Sequence, residues 1–268
     1  MGARTLIMGV LNVTPDSFYD GGRYFKLNRA IDRGLQLEEE GADILDVGGE
    51  STHPRSRAVP AAEEIKRVVP VIEALRHRLT IPISVDTYKS AVARPAIAAG
   101  AEIVNDVGGL RLDPDLAHLV SASNAAVILM HSRGTRDSMH SLPRAQNILR
   151  VVMEGLSRSV QKAISSGIGP NRIIVDPGLG FGKHAEDNLI LLKKLERFGK
   201  LHFPLLVGAS RKSFLGKILD LPVGERLFGS FAGVAIAILK GAHIVRVHDV
   251  KETLQVARVC DAVMNSSR

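Results

Sequence analysis

The sequence predicts an α/β protein that folds as a single closed (β/α)8 barrel. Short apolar runs recur along the 268 residues, and each is followed by a segment whose apolar residues repeat at helical spacing. Runs without polar alternation are typical of strands that are buried on both faces of a parallel sheet. The alternative is a doubly wound open sheet, which usually has fewer strands and a Gly-x-Gly-x-x-Gly motif after its first strand. That motif does not follow the first apolar run here.

The predicted elements alternate along the whole chain. Strands are expected at 6–13, 44–47, 83–85, 103–104, 126–130, 173–175, 205–207 and 244–247. Helices are expected from apolar stripes at 27–35 and 65–72, at 89–99, 114–121 and 144–165, around 189–195, in a long region that includes 230–240, and at 251–264. This alternation fits one barrel domain over residues 1–268, in which the carboxyl ends of all strands meet at one rim.

Composition argues against several classes of protein. The chain has no run of ~18 apolar residues and no signal-like N-terminus, so we expect neither a membrane span nor secretion. The single cysteine, Cys260, suits a reducing cytoplasm. The net charge is +7, but lysine and arginine are spread along the chain and tryptophan is absent, so we expect no nucleic-acid partner. A small anionic substrate explains the basic excess equally well.

Polar side chains follow most of the predicted strands, and the barrel would bring them to one rim. They are Asn12, Asp86, Asn105, Asp176, Lys212, Arg246 and His248. Each alone has an ordinary explanation, because an aspartate after a strand often caps the next helix. Together, carboxylates and an amide suit a flat heterocycle whose N–C–N edge offers parallel N–H donors. Cationic side chains at the mouth suit a phosphate or diphosphate, so the residues suggest a heterocycle diphosphate as the ligand.

Two loops leave their function open when only the residues are considered. In the run SRKS at 210–213, Ser213 is either the N-cap of an ordinary capped turn or part of an anion site at a helix N-terminus. In the first loop, Asn12, Asp16 and Asp20 either ligate a hard cation through oxygen or stabilise an Asx-type turn.

Several motifs in order give the chain a resemblance to the dihydropteroate synthase family. They are NVTPDSF at 12–18, GGEST at 48–52, SVDT at 84–87, ND at 105–106, DPGLGFG at 176–182, SRKS at 210–213 and RVHD at 246–249. The resemblance covers nearly the whole chain and implies a pterin-binding TIM-barrel domain in a cytoplasmic homodimer. The family joins 4-aminobenzoate to 6-hydroxymethyl-7,8-dihydropterin diphosphate in folate biosynthesis, releases pyrophosphate with the help of Mg2+, and is a target of sulfonamides.

The resemblance also implies roles for individual residues. The pterin would be bound by Asp86, Asn105, Met130, Asp176 and Lys212. The diphosphate would be held by Asn12, Arg246 and His248, and Mg2+ by Asn12 and Asp20. The 4-aminobenzoate site would be framed by Phe18, Thr52, Pro54, Phe181 and Ser213. The catalytic residues would be Asp20, Lys212, Arg246 and His248.

The second loop departs from the family pattern. It reads Ser-Thr-His-Pro-Arg at 51–55, where the family usually has Ser-Thr-Arg-Pro-Gly. His53 is a shorter donor whose charge changes near neutral pH, and Arg55 would supply the missing cation from a nearby position. The departure therefore affects the contact that this loop would make with the diphosphate.

Two other functions remain as alternatives. A pterin-binding methyltransferase would keep the aspartate and asparagine contacts, but it has no use for the diphosphate clamp that the SRKS and RVH runs indicate. A non-catalytic barrel would bind nucleic acid through its basic surface, and that binding would depend steeply on salt.

Overall fold

The computed structural model describes residues 4–14, 27–50, 58–134, 138 and 142–266. Its strands form one parallel sheet in the order β6-β5-β4-β3-β2-β1-β8-β7. They are β1 Leu6–Asn12, β2 Ile44–Gly48, β3 Ile83–Asp86, β4 Ile103–Asp106, β5 Ala126–Met130, β6 Ile173–Asp176, β7 Leu206–Val207 and β8 Ile244–Val247. A parallel bridge between Val175 and Leu205 joins the two ends of the sheet. The predicted (β/α)8 barrel is therefore confirmed, with a single bridge closing the seam between β6 and β7.

Helices of the described residues pack around the strands. They are α1 Leu27–Glu39, α2 Ala61–Leu75, α3 Ser90–Ala99, α4 Leu116–Ser121, α5 Ile148–Ser165, α6 Ala185–Lys193, α7 Ser213–Leu219, α8 Leu227–Leu239 and α9 Val250–Asn265. The long helical region predicted after the seventh strand is divided into α7 and α8. Asp220 ends α7 in the left-handed conformation (φ 54°), and Pro222 follows it. Within the described ranges, every helix is too short or too polar to cross a membrane.

Two helices begin at residues other than those that the sequence indicates. α5 begins at Ile148, not near residue 144, because the Asn147 side chain accepts a hydrogen bond from the Arg150 amide at 3.1 Å and so caps the helix. α7 begins at Ser213 itself, with Lys212 in the cap position. The alternative in which Ser213 is an ordinary N-cap is therefore wrong, since it is the exposed first residue of the helix.

The barrel has an apolar interior and an apolar outer layer. One buried cluster fills the interior and consists of Met8, Ile44, Ile103, Ile128, Leu206 and Ile244. Their neighbours along the strands, such as Leu45 and Val104, belong to the larger cluster shared with the helices. Burial of both faces explains why the strands show no polar alternation. Two residues beyond the interior cluster, side chains on the same face become polar, at Asp46, Asn105 and Arg246.

The strand register sets the depth of the polar residues. Asn12 pairs with Gly48, Gly48 with Asp86, and Asp86 with Asn105, across β1 to β4. These residues therefore share one level at the carboxyl ends of neighbouring strands, which is the rim that carries the active site in (β/α)8 enzymes.

Candidate active site

An ion-pair network around Arg246, on β8, forms the centre of the rim. Its Nε donates to Asp46 Oδ2 at 2.6 Å and its Nη2 donates to Asp86 Oδ2 at 2.6 Å. Asn105 Nδ2 donates to the same Asp46 oxygen at 3.0 Å. The predicted rim residues Asp86, Asn105 and Arg246 are thus brought together, and the residue that connects them is Asp46, which the sequence does not single out.

The Asp86 carboxyl has an ionisation far from that of an ordinary aspartate. Burial raises the pKa of Asp86 to about 7; the Arg246 guanidinium opposes this shift, and the neighbouring Asp46 carboxylate adds to it. Asp86 therefore changes its charge near neutral pH and lies in contact with a permanent cation. A carboxyl group with this behaviour in a cleft is typical of a binding or catalytic site.

Asp176 lies at the end of β6, opposite this network, and a tight turn holds it. The Gly178 amide donates to Asp176 Oδ1 at 2.7 Å. Burial raises the pKa of Asp176, while the Gly178 hydrogen bond and the Lys212 ammonium act in the opposite direction. Gly178 has φ 65°, and a Cβ there would lie 2.1 Å from the carbonyl oxygen of His131. Only glycine fits this turn, so the turn fixes the direction of the Asp176 side chain.

A buried lysine stabilises the same loop from behind. Lys183 Nζ donates to the carbonyl oxygens of His131 at 2.9 Å, Gly178 at 2.7 Å and Phe181 at 3.1 Å. Burial lowers the pKa of Lys183 to about 7, although the Asp176 carboxylate opposes that shift. The three donors of the ammonium match the three carbonyls. Lys183 therefore connects the end of β5 to the loop that follows Asp176.

Lys212 and Phe181 meet at the edge of the site. The Lys212 ammonium lies 4.2 Å from the centroid of the Phe181 ring, within the range of a cation–π contact. Burial and the nearby Arg246 lower the pKa of Lys212 to about 8, while Asp176 and Asp86 oppose that shift. The two predicted site residues therefore lie side by side. The Lys212 ammonium loses its proton at a pH closer to neutral than that of an ordinary lysine.

Arg211, the other cation of the SRKS run, belongs to the scaffold. Its guanidinium makes a two-pronged ion pair with Asp249, at 3.0 Å and 2.7 Å. Its backbone is left-handed (φ 56°), and its amide donates to Ser230 Oγ at 2.8 Å. Arg211 thus ties the turn before α7 to α8 and to the start of α9. Of the two adjacent cations, only Lys212 is directed to Phe181 and the rim.

His248 has a neutral imidazole ring at neutral pH. Burial and the charges of Arg246 and Arg211 lower its pKa to about 3. Ser210 Oγ lies 3.0 Å from His248 Nδ1 and accepts from the His248 amide at 3.4 Å. The Ser210 hydroxyl and the His248 ring are therefore joined by a hydrogen bond. The expected cationic mouth is therefore formed by Arg246 and Lys212, with His248 as a hydrogen-bonding neighbour.

The remaining predicted residues are placed as follows. Met130 ends β5, is paired with Asp176 and is buried. Asn12 ends β1, and its Oδ1 lies beside Gly48, as does Asp86 Oδ2. Ser213 is exposed at the start of α7. Four predicted site residues, as well as the unusual His53, lie outside the described residues: Phe18, Asp20, Thr52 and Pro54.

A second buried ion cluster, unpredicted, lies behind β3. Lys89 Nζ donates to Glu64 Oε2 at 2.6 Å and to the Val59 carbonyl at 2.6 Å, and it also pairs with Glu50. Glu50 precedes the segment 51–57 and Val59 follows it. Lys89, three residues after Asp86, therefore connects the residues on both sides of that segment to the β3 end of the site. Lys89 directly precedes α3, and nothing in the sequence around it predicts these ion pairs.

The chain is similar over nearly its whole length to known proteins. The sequence profile of the family described as pterin binding enzyme matches residues 8–248. The dihydropteroate synthase of Bacillus subtilis is 45% identical over 262 residues, which cover 98% of this chain and 90% of the relative.

Solved structures agree with this similarity. The dihydropteroate synthase of Clostridium difficile, solved in the presence of pteroic acid, has a TM-score of 0.91 and 42% identity, and the match covers 98% of each chain. The enzyme of Xanthomonas albilineans, solved with 4-aminobenzoic acid, has a TM-score of 0.91 and 42% identity, with 98% of this chain and 94% of that chain covered. Fold, rim and sequence therefore agree, and this chain belongs to the dihydropteroate synthases, the pterin-binding transferases of folate biosynthesis.

Proposed function

We propose that this protein joins 4-aminobenzoate to 6-hydroxymethyl-7,8-dihydropterin diphosphate, giving 7,8-dihydropteroate and pyrophosphate. The observation that carries the proposal is that oxygen acceptors and cations share one rim. Asp86 and Asn105 lie in one network with Arg246, and Lys212 stands beside Phe181 at its edge. Support also comes from the solved relatives, because pteroic acid is a pterin already joined to 4-aminobenzoic acid.

Asp176 is the residue that we expect to recognise the pterin. Its Oδ1 is engaged by the Gly178 amide, so the carboxylate is fixed in direction before a ligand arrives. A fixed carboxylate matches the two parallel N–H donors of the N–C–N edge. Asp86 and Asn105 would then accept from and donate to the other ring edges, and buried Met130 would line the pocket.

We expect the bond between the exocyclic methylene and the diphosphate oxygen to break first. The electron pair leaves with pyrophosphate, and the pterin ring stabilises the methylene cation that remains. Arg246 and Lys212 are the cations at the rim that would stabilise the growing charge on the leaving group. His248, whose low pKa keeps it neutral, would contribute a hydrogen bond instead of a charge.

The amino group of 4-aminobenzoate then attacks the methylene carbon, forms the C–N bond and loses its extra proton to solvent. The arylamine is a weak base and is already neutral at pH 7, so the site needs no strong general base. Phe181 and Ser213 are the described residues that we expect beside the benzoate. Their expected partners Phe18, Thr52 and Pro54 lie outside the described residues.

We also propose that the end of β1 helps to hold a magnesium ion. Asn12 offers an amide oxygen, and it lies beside Gly48 on the same level as Asp86. Mg2+ prefers oxygen ligands and usually combines one or two protein groups with substrate phosphates and waters. Asn12 would hold the ion together with Asp20, which lies outside the described residues. Bound there, Mg2+ would neutralise charge on the diphosphate.

The test is the formation of 7,8-dihydropteroate by two site variants. Asp176→Asn places a donor against the donor edge of the pterin, and Lys212→Ala removes a cation. Each is expected to lower kcat/KM about 100-fold, on the order of 3 kcal/mol. Glu196→Gln, at an exposed ion pair with Lys240, is the matched control and should retain wild-type turnover. Wild-type turnover in both site variants would show that the pocket is assigned to the wrong residues.

We also propose that the chain forms a homodimer through α8 and α9. The sequence does not separate the inner and outer faces of α8, but the structure does, since Val234 and Ile238 are buried while Phe228 is 80% exposed. Neighbouring α9 exposes Val259 and Val263. An exposed apolar face of this kind suits a second copy of the chain.

Light scattering on a sizing column tests the dimer. Phe228→Asp is expected to convert it to monomers at micromolar concentration, because it places a charge in an apolar contact. Ile164→Asp, at a half-exposed position on α5, is the matched control. A wild-type protein that is monomeric, or a Phe228→Asp protein that remains dimeric, would refute this interface.

A further inference from the structure

Asp46 is a fully buried carboxylate that contacts two side chains of the rim. It lies on β2 with 0% of its surface exposed. It is two residues before Gly48, the register partner of Asp86, and therefore lies deeper in the barrel than both. It therefore has no surface with which to touch a substrate. Yet a single oxygen, Oδ2, accepts hydrogen bonds from both Asn105 and Arg246. A buried carboxylate in this position acts on the site through its charge, which helps to raise the pKa of Asp86, and through the two side chains that donate to it.

The first effect concerns the side-chain amide of Asn105. An amide has a donor end and an acceptor end, and only its hydrogen-bond partners decide which end faces which way. The Asp46 carboxylate only accepts, so the NH2 group of Asn105 must face it, at 3.0 Å. Turning the amide over would place its carbonyl oxygen against a carboxylate oxygen, which is strongly unfavourable. The Asn105 oxygen and the second N–H of its NH2 group are then presented in one fixed order.

The geometry points to Asp46 as a positioning residue that sets the sense of the Asn105 amide, so that the cleft presents the heterocycle with one acceptor and one donor in a fixed order. This inference rests on the proposed function, because it assumes a pterin as the heterocycle. It assigns to Asp46 a role in selecting heterocycles by the order of donors and acceptors on the ring edge. This role is distinct from neutralising the charge of Arg246.

The hydrogen bond from Arg246 holds the Asp46 side chain itself in place. Arg246 donates to Asp46 through Nε and to Asp86 through Nη2, each at 2.6 Å. Asp46 is paired with Val10 on one side and Ser84 on the other, in the middle of the sheet. It therefore has no freedom to follow a ligand. When Asp86 turns to the pterin, Asp46 keeps both the Asn105 amide and the Arg246 guanidinium in place.

Asp46→Asn is the informative variant, since it has the same shape and its amide can donate as well as accept. In that protein the Asn105 amide is able to turn over. Ser84→Ala is the matched control, because Ser84 is the register partner of Asp46, is equally buried, and its hydroxyl has no hydrogen-bond partner among the described residues. Asp46→Ser is a second variant whose hydroxyl also both donates and accepts, in case the first does not fold.

The measurement is the dissociation constant of 6-hydroxymethylpterin and of its lumazine analogue, in which a carbonyl replaces the 2-amino group. The analogue exchanges the 2-amino donor for an acceptor, on the edge assigned to Asp176. It also exchanges the N1 acceptor for an N–H donor, on the adjoining edge that is assigned to Asn105 and Asp86. Wild-type protein and Ser84→Ala should prefer the pterin equally. Asp46→Asn should bind the pterin about tenfold more weakly, the size of a lost hydrogen bond to a charged group, and its preference over the lumazine should shrink by a similar factor. The KM for 4-aminobenzoate should change less than twofold.

A double-mutant cycle with Asn105→Ala tests whether Asp46 acts on the ligand through the Asn105 amide. If Asp46 acts through the amide, Asp46→Asn adds little to the loss already caused by Asn105→Ala. Equal weakening of pterin and lumazine, or full additivity with Asn105→Ala, would overturn the inference and leave Asp46 with a structural role. A wild-type protein that binds neither pterin nor 4-aminobenzoate would refute the proposed function instead, so the two failures are distinguishable.

Discussion

Lowering the pH through 7 should weaken pterin binding, because Asp86 gains a proton. Burial raises the pKa of Asp86 from 3.8 to about 7, and only the ionised carboxylate accepts hydrogen bonds through both oxygens. The binding form is therefore present above pH 7 and is lost as the pH falls through that value. Between pH 8 and pH 6 the ionised fraction falls about tenfold, which corresponds to a loss of about 1.4 kcal/mol in affinity.

Calorimetric titration with 6-hydroxymethyl-7,8-dihydropterin measures this effect. The ligand without its diphosphate is preferable, because phosphate groups titrate in the same range. Asp86→Asn is the control, and its weaker binding should no longer decrease as the pH falls from 8 to 6. The other groups of the site that titrate in this range, Lys183 and Lys212, gain positive charge as the pH falls. A wild-type affinity that stays constant over this range, or a loss of affinity toward pH 6 that persists in Asp86→Asn, would refute the argument that burial tunes this carboxyl.

Two further predictions concern the scaffold of the site. Arg211→Met leaves the Asp249 carboxylate without its two-pronged partner in a largely buried place, and it should lower the free energy of unfolding by about 3–5 kcal/mol in urea titrations. Gly178→Ala forces a Cβ to within 2.1 Å of the His131 carbonyl oxygen. It should displace the turn that holds Asp176 and weaken pterin binding at least about tenfold, as measured by the same calorimetry.

Each scaffold variant has a control of the same type elsewhere. Arg150→Met removes an exposed pair with Glu154 at 3.8 Å and should cost less than about 1 kcal/mol. Gly224→Ala adds a Cβ with nothing within 4 Å and should leave pterin binding unchanged. An Arg211→Met protein as stable as Arg150→Met, or a Gly178→Ala protein that binds like Gly224→Ala, would contradict the assigned contacts.

The barrel was predictable because both faces of its strands are buried. Runs such as 126–130 and 244–247 are apolar throughout or nearly so, and their predicted bounds coincide with β5 and β8. The polar residues that end these runs were predictable for the same reason, since a barrel brings all strand ends to one rim. Composition and pattern therefore sufficed to place Asp86, Asn105 and Arg246 together.

Other features depend on contacts between residues far apart in sequence. Asp46 and Arg246 are 200 residues apart, and the aspartate in an apolar strand has no local signal of its partners. Arg211 and Lys212 are adjacent and look alike, but the left-handed backbone at Arg211 turns its side chain to Asp249. The break between α7 and α8 is set by Asp220 and Pro222, whose turn interrupts an otherwise continuous helical pattern.

Pyrophosphate release by the purified protein tests the central claim most directly. The protein is given 6-hydroxymethyl-7,8-dihydropterin diphosphate and Mg2+, with and without 4-aminobenzoate. The account predicts release that depends on 4-aminobenzoate and is matched by an equal amount of 7,8-dihydropteroate. No release in either case, from a folded protein that still binds the pterin, would contradict it and favour a methyltransferase-like or binding-only function.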